Sequence, residues 1–322
     1  MRLLTLGATD ISISAIIMGT WQAGKKMWTG IDDEASTQAV RAAFEAGITT
    51  FDTAEVYGDG HSERILGQAL ADLRSQVIIA SKVFANHLAP DQVIAACEGS
   101  LKNLGSDCID LYQIHWPAGS FGSPKVPLAD TMGALDDLKT QGKIRAIGVS
   151  NFNRDQIAEA AQYGQIDSVQ PPYSLFWRQA ETEILPYCRQ QGITVLAYSP
   201  LAQGLLTGKF GPDHKFERGD HRGQHRLMEK DHYQRVQNAL DQLKPMAEKR
   251  GISLAQLALA WVIAGPDTCA IAGARDSAQI RATAAAGEIT LSNTELSALD
   301  TIGRQVTDHL DDNPVQWAWG RR

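Results

Sequence analysis

The sequence predicts an α/β protein: a single parallel (β/α)8 TIM barrel over residues 1–322, with an N-terminal β-hairpin and a C-terminal extension. Three observations predict it. Short runs of β-branched and aliphatic residues alternate with longer segments of helical apolar spacing, and counted from Ala15 the short runs number eight. These runs are mostly apolar in their bodies, as strands covered on both faces are, which argues for a parallel sheet with right-handed crossovers. No G-x-G-x-x-G follows the first run, which disfavours an open doubly wound sheet, and 322 residues suit one large barrel core.

The elements follow in order. Residues 2–14 alternate apolar and polar around Gly7-Ala8-Thr9-Asp10, a hairpin signal, and are expected to cover one end of the core. Ala15–Met18 is the first buried strand, ending in Gly19-Thr20-Trp21. A loop with Trp28 leads to Asp32-Asp33-Glu34, an acidic helix start, and Val40, Ala43 and Phe44 recur at helical spacing before Gly47. Ile48–Phe51 is the second strand and ends in Asp52, with Tyr57 in the loop closed by Gly58-Asp59-Gly60. Helix His61–Leu70 leads to strand Val77–Ala80 and Ser81-Lys82; helix Pro90–Leu104 leads to strand Ile109–Ile114 and His115-Trp116. Helix Ala129–Gln141 precedes strand Ile144–Val149 and Ser150-Asn151. Helix Arg154–Tyr163 precedes Ser168–Gln170, and helix Thr182–Gln191 precedes strand Ile193–Ala197 and Tyr198-Ser199. After a long excursion, helices Val236–Arg250 and Ser253–Ile263 lead to Cys269–Ile271 and Gly273-Ala274-Arg275.

A parallel barrel gathers the C-terminal ends of its strands at one rim, and here those ends hold Asp52, Lys82, His115, Asn151, Gln170, Tyr198 and Arg275. Taken singly, an aspartate after a strand caps turns, a histidine beside a tryptophan packs, and a tyrosine closes loops. Together, Asp52, Tyr57, Lys82 and His115 suit acid–base work on a carbonyl: Lys82 is expected to lower the Tyr57 phenol, Asp52 to hold Lys82, and His115 to bond the substrate oxygen. A lysine at a strand end also suits Schiff-base lyase chemistry, and the residues alone leave that open.

Composition narrows the partners. A net charge of −7 argues against nucleic acid or an anionic membrane as partner. No apolar run has the length of a membrane span and no signal-peptide pattern opens the chain, so a cytoplasmic location is expected. Cys97, Cys108, Cys188 and Cys269 are widely spaced, which suggests reduced thiols rather than disulfides or a metal site.

Long motifs carry a resemblance along nearly the whole chain: F-D-T-A-E-V-Y-G at 51–58, I-A-S-K at 79–82, D-L-Y-Q-I-H-W at 110–116, G-K-I-R-A-I-G-V-S-N-F at 142–152 and Y-S-P-L-A-Q-G-L-L-T-G-K at 198–209. With these the chain resembles the aldo-keto reductases, and Gln170-Pro171-Pro172-Tyr173-Ser174-Leu175-Phe176 is similar to the bacterial NADP-dependent members. The resemblance implies a catalytic set of Asp52, Tyr57, Lys82 and His115, with Tyr57 as proton donor, and NADPH/NADP+ bound without a Rossmann fold. It implies that Gly19, Thr20 and Trp21 border the nicotinamide, that Asp52 lies beside it, that Ser150 and Asn151 or Gln170 bond its carboxamide, and that Tyr198 stacks on its ring. Ser199, Leu201, Gln203 and Gly204, with Lys209 and Arg222, are implied at the pyrophosphate, and Gly273, Ala274, Arg275 and Gln279 at the adenosine end. Ala282 and Thr283 stand where many relatives carry an acidic or amide residue for the adenine.

Residues 213–235 carry His214, His221, His225 and His232 at seven-four-seven spacing, which on one helix would share a face. Gly219 and Gly223 argue against such a helix, so a solvated loop over the cofactor is expected and no metal site. Trp21, Trp28, Tyr57, His115, Trp116 and Phe176 are expected to line an apolar substrate pocket, with Trp177, Trp317 and Trp319 near the same mouth. The expected activity is NADPH-dependent reduction of neutral aldehydes and ketones. The alternatives are a cofactor-binding regulatory subunit resembling potassium-channel β subunits, and the lyase through Lys82.

Overall fold

The computed structural model describes residues 1–317; Trp319 lies outside them. β1 (Leu3–Thr5) and β2 (Ser12–Ser14) form an antiparallel hairpin, Leu3 opposite Ser14, whose turn needs Gly7 at φ +53°. The alternation then runs β3 (Ile16–Gly19), α1 (Asp33–Glu45), β4 (Thr50–Asp52), α2 (His61–Ala69), β5 (Ile78–Val83), α3 (Pro90–Leu104), β6 (Ile109–Ile114), α4 (Leu128–Thr140), β7 (Ile144–Ser150), α5 (Arg154–Ala160), β8 (Ser168–Gln170), α6 (Ile184–Gln191) and β9 (Thr194–Tyr198). α7 (Lys230–Lys249), α8 (Leu254–Ile263), β10 (Thr268–Gly273), α9 (Ser277–Ala285) and α10 (Asn293–Thr307) complete it. β3 to β10 close into a parallel barrel, with Ala270 of β10 opposite Ile16 of β3.

The helices start where side chains can satisfy free backbone donors. Asp32 accepts from the Ala35 N–H at 2.8 Å, and Asn153, Ser253 and Ser292 form reciprocal capping boxes with Gln156, Gln256 and Glu295. α7 starts earlier than the apolar spacing from Val236 suggests, because Tyr233 is buried and donates to Gly211 O at 2.8 Å, anchoring an otherwise polar first turn.

The barrel interior is layered. The hairpin inserts Leu6, Ile11 and Ile13 beneath Ile17, Ala80, Leu111, Ala146, Leu196, Cys269 and Ile271, an apolar plug at the N-terminal ends of the strands. Gly7 N–H donates to Thr194 Oγ1 at 2.8 Å and ties the plug to β9. Side chains on a strand repeat every second residue, so the next inward positions after Ala80, Leu111 and Ala146 are Lys82, Gln113 and Gly148. The lower layer is therefore dry and the upper one polar, facing the C-terminal rim. Outside the barrel, one apolar core joins the outward faces of the strands to the helices.

The last segment returns to that rim. The buried Arg178 guanidinium bonds Glu181 and Asp300 of α10 and lies 5.0 Å from the Trp261 ring centroid. Further on, Trp177 Nε1 donates to Pro314 O at 3.0 Å and Arg226 N–H to Gln316 O at 2.9 Å. Phe176 and Trp177 are thereby completely buried. Phe176 does not line the mouth, contrary to expectation, because the C-terminal segment covers this part of the chain.

Candidate active site

Parallel register sets the heights of the polar groups. Asp52 lies opposite Ala80, so Lys82 stands one inward step higher than Asp52, while Gln113 is level with Lys82 and Gln170 with Ser150. Lys82 Nζ donates to Asp52 Oδ1 at 2.5 Å, to Thr53 O at 2.8 Å and to the Tyr57 hydroxyl at 3.5 Å. All three of its protons have acceptors. Asp52 Oδ2 accepts from Gln170 Nε2 at 2.9 Å and from Gln113 Nε2 at 3.4 Å. Asp52, Tyr57, Lys82 and His115 thus meet at one place, the ring of His115 standing edge-on to Tyr57 with centroids 5.6 Å apart.

The site's dryness governs its protonation. Burial pulls the Lys82 ammonium below the ordinary lysine value, and Asp52 opposes that shift. Burial, then the charge of Lys82, holds His115 well below 6.5, so the ring is neutral, and its Nδ1 finds no hydrogen-bond partner among the described residues. Tyr57 as a residue is half-buried, but its hydroxyl meets Lys82, and burial followed by Asp52 pushes the phenol well above 10. The expectation that Lys82 lowers the phenol fails in this state: desolvation of a phenolate outweighs a lysine whose charge Asp52 already balances.

The neighbouring groups are mutually braced. Asn151 takes φ +60°, donates to His115 O at 2.9 Å and Ser150 Oγ at 3.1 Å, and accepts from the Tyr198 hydroxyl at 2.8 Å. Ser150 Oγ donates to Gln170 O at 2.8 Å. Thr20 binds the Asp52 carbonyl through both its N–H and its hydroxyl, which fixes Gly19-Thr20-Trp21 against β4. Ser199, Ala202, Gln203 and Gly204 all have positive φ, a folded loop after β9 that turns past Leu201 towards Lys209.

Lys209, Arg222 and Arg275 converge around Trp28 and Phe210. The guanidinium carbons of Arg222 and Arg275 lie 5.3 and 5.7 Å from the Trp28 ring centroid. Asp220 chelates Arg222. Burial lowers Lys209 and Arg275 from their ordinary values, and their mutual repulsion with Arg222 lowers them further. Arg275 Nη2 is buried without a partner among the described residues. Three cations with one carboxylate, one of them with an unpaired buried N–H, fit the phosphates of a dinucleotide. Gln22 Nε2 donates to Ala274 O at 2.7 Å, and the exposed Gln279 accepts the Arg275 N–H on its side-chain Oε1 at 3.0 Å, so backbone groups of Ala274 and Arg275, next to Gly273, and the side chain of Gln279 frame this end. Ala282 is exposed and Thr283 buried.

The mouth itself is aromatic. Trp21 packs with Trp28 at 5.4 Å, Tyr57 at 6.3 Å, Trp317 at 6.3 Å and His221 at 4.5 Å between centroids. Trp116 meets Phe121, and Phe121 stacks on Phe84, which stands edge-on to His115. The expected solvated loop is a correction in part: His221 and His225 are buried, His221 bonding Met27 O and His225 pairing with Trp317 in a β-bridge. His232 lies on α7, and among the described residues no group of three or more His, Cys, Asp or Glu could hold a metal ion. Gln113, Phe84 and Phe121 were not singled out by sequence; for Gln113 the available signal is an amide within an apolar strand, two residues before His115.

A closed parallel barrel with an acid–base cluster at its C-terminal rim and a cationic loop beside it has the architecture of a barrel enzyme. The Aldo/keto reductase family model matches residues 15–304, and the chain belongs to that family. It is 37% identical over 314 residues to aldo-keto reductase YhdN of Bacillus subtilis (strain 168), covering 94% of this chain and 93% of that one. It is 35% identical over 333 residues to the NADH-specific methylglyoxal reductase of Escherichia coli (strain K12), covering 97% and 100%. Among solved structures, the glycerol dehydrogenase AKR11B4 from Gluconobacter oxydans matches with TM-score 0.87 and 34% identity, covering 97% and 98%. An aldo-keto reductase from Klebsiella pneumoniae in complex with NADPH matches with TM-score 0.76 and 31% identity, covering 98% and 99%.

The phenol shift gives a pH prediction. A raised value in the fold means that Tyr57 stays neutral through the ordinary tyrosine range, and its burial stabilises the fold below about pH 10 and ceases to do so as pH rises through the folded value. Phenolate absorbance of the cofactor-free protein minus that of Tyr57→Phe should stay flat up to about pH 10. A step with a midpoint below that value would contradict the assignment.

Proposed function

We propose that this protein reduces aldehydes and ketones to alcohols with NADPH, with Tyr57 as the proton donor. The observation that carries the reading is the buried Lys82, whose three protons go to Asp52, Thr53 O and Tyr57. An ammonium so occupied is a poor Schiff-base nucleophile, which supports proton transfer over the lyase. A nicotinamide bound beside Tyr198 would supply the hydride. The chain supplies the rest: neutral His115 can bond the carbonyl oxygen, Tyr57 can give that oxygen its proton, and Lys82, held by Asp52, can stabilise the phenolate left behind. As negative charge leaves the carbonyl oxygen for Tyr57, Lys82 is already in place.

Several residues fit the cofactor. Ser150, Asn151 and Gln170 would hold the carboxamide, Tyr198 would pack on the ring, the loop from Ser199 to Gly204 would wrap the pyrophosphate, and Lys209, Arg222 and Arg275 would meet the phosphates. The unpaired Arg275 Nη2 supports a preference for NADPH.

The aromatic rings of Trp21, Trp116, Phe84 and Phe121 around Tyr57 and His115 support neutral, planar substrates. The methylglyoxal reductases among the relatives support small dicarbonyls as a second group. Such a wall offers a phosphorylated triose no charge partner, so kcat/KM should favour a nitrobenzaldehyde over it.

Tyr57→Phe should lower kcat by about 10²–10⁴-fold and leave NADPH affinity nearly unchanged, since only the proton donor is lost. Near-normal turnover in that variant would sink the assigned role. Arg275→Ala should weaken NADPH more than NADH by roughly 1.5–3 kcal/mol, measured by titrating both cofactors. Equal weakening of the two would remove the argument for NADPH.

A further inference from the structure

Gln113 of β6 is completely buried, yet methionine or leucine would occupy the same space without a polar group to satisfy. Its amide is used at both ends. Nε2 donates to Asp52 Oδ2 at 3.4 Å, and Oε1 accepts from Gln170 Nε2 at 3.3 Å, while Gln170 Nε2 also donates to Asp52 Oδ2 at 2.9 Å. The three side chains close a ring inside the barrel. The carboxylate decides which way both amides face, because turning either over would set an amide oxygen against Asp52 Oδ2. β7 leaves room for this ring: at Gly148 a Cβ would lie 3.0 Å from Gln113 Cγ and 2.2 Å from Ser168 Oγ.

Two consequences follow from the ring. Asp52 has Lys82 on one oxygen and two amides on the other, so the carboxylate cannot rotate, and Lys82 cannot follow it away from Tyr57. Gln170, with Nε2 drawn inward by Asp52 and by Gln113 Oε1, has its own Oε1 left as an acceptor.

We propose that Gln113 is a positioning residue of this site: it locks Asp52 and the Gln170 amide in one orientation, so that Lys82 stays on the Tyr57 oxygen and Gln170 offers Oε1 to the amide of the nicotinamide. The proposal rests on the carbonyl-reductase reading. Gln113 touches neither substrate nor cofactor in this scheme and acts only through Asp52 and Gln170.

Two variants test it, with NADPH affinity, kcat on a nitrobenzaldehyde and thermal midpoint measured for each. Gln113→Met keeps the volume and removes both bonds. It should lower the midpoint only modestly, weaken NADPH several-fold and lower kcat by about ten- to a hundredfold, the range expected of small misplacements at a reacting centre. Gln113→Glu places a carboxyl in the same ring. Protonated, it donates to Asp52 and accepts from Gln170 as the amide does; ionised, it faces Asp52 as a like charge, and burial with that charge raises its pKa. The ratio of variant to wild-type kcat should therefore approach one at acid pH and fall as pH rises. Unchanged affinity and kcat in Gln113→Met, or a pH-independent ratio in Gln113→Glu, would reduce Gln113 to core filling. If Gln113→Met fails to fold, the Gln113→Glu ratio decides alone. If the wild type turns over no carbonyl, the reductase reading fails, and NADPH affinity in Gln113→Met still decides whether Gln113 sets Gln170.

Discussion

The site depends on one buried ion pair. Lys82 has no exposed surface and Asp52 almost none, and they meet at 2.5 Å inside the barrel. Two charges brought out of water are stable there only if their remaining protons and lone pairs are also satisfied, and removing one partner of such a pair typically costs roughly 3–5 kcal/mol. Here Thr53 O and the Tyr57 hydroxyl take the other Lys82 protons, while Gln113 and Gln170 occupy the second Asp52 oxygen. Fixing Asp52 therefore also fixes the relation of Lys82 to Tyr57. The pair holds the phenol in reach of a cation without charging it, since the phenol remains above its ordinary value in the dry site.

The layers of the barrel make that arrangement affordable. Beneath the pair, the hairpin residues Leu6, Ile11 and Ile13 complete an apolar plug and keep water from entering through the N-terminal end. Above it, loops with positive φ at Asn151, Ser199, Ala202 and Gln203 turn backbone and side chains towards the rim. Asn151 joins three strands, holding His115 O and Ser150 Oγ while Tyr198 holds it. The rigidity of the rim thus comes from hydrogen bonds between strand ends, and the aromatic mouth rests upon it.

Much of the fold and of the inner cluster was legible in the sequence, for identifiable reasons. Runs such as Val77–Ala80 and Ile144–Val149 are too apolar for half-exposed strands, and the polar residue after each marks a common rim. Asp52, Tyr57, Lys82 and His115 could be placed together because parallel barrels bring every strand end to one side. The segment from 213 to 235 was misjudged in part as solvated, because what buries His221 is a box made by Trp21 and Trp28 of the first rim loop and Trp317 at the other end of the chain. Phe176 was assigned to the mouth for the same kind of reason: nothing local reveals that residues near Pro314 return over its neighbour Trp177. The Tyr57 shift was misjudged in sign because spacing reveals that Lys82 is near but not how dry the site is. Gln113 left a readable trace, an amide at an inward position of a buried strand.

The central claim is that Lys82 serves proton transfer at Tyr57 and forms no bond to substrate. It is tested most directly by following label from NADPH deuterated at its transferable ring carbon during reduction of a neutral aldehyde, with a parallel sample treated with borohydride. The account predicts deuterium on the carbinol carbon of the product and no substrate fixed to the protein. Product without label, together with substrate trapped on Lys82, would contradict it.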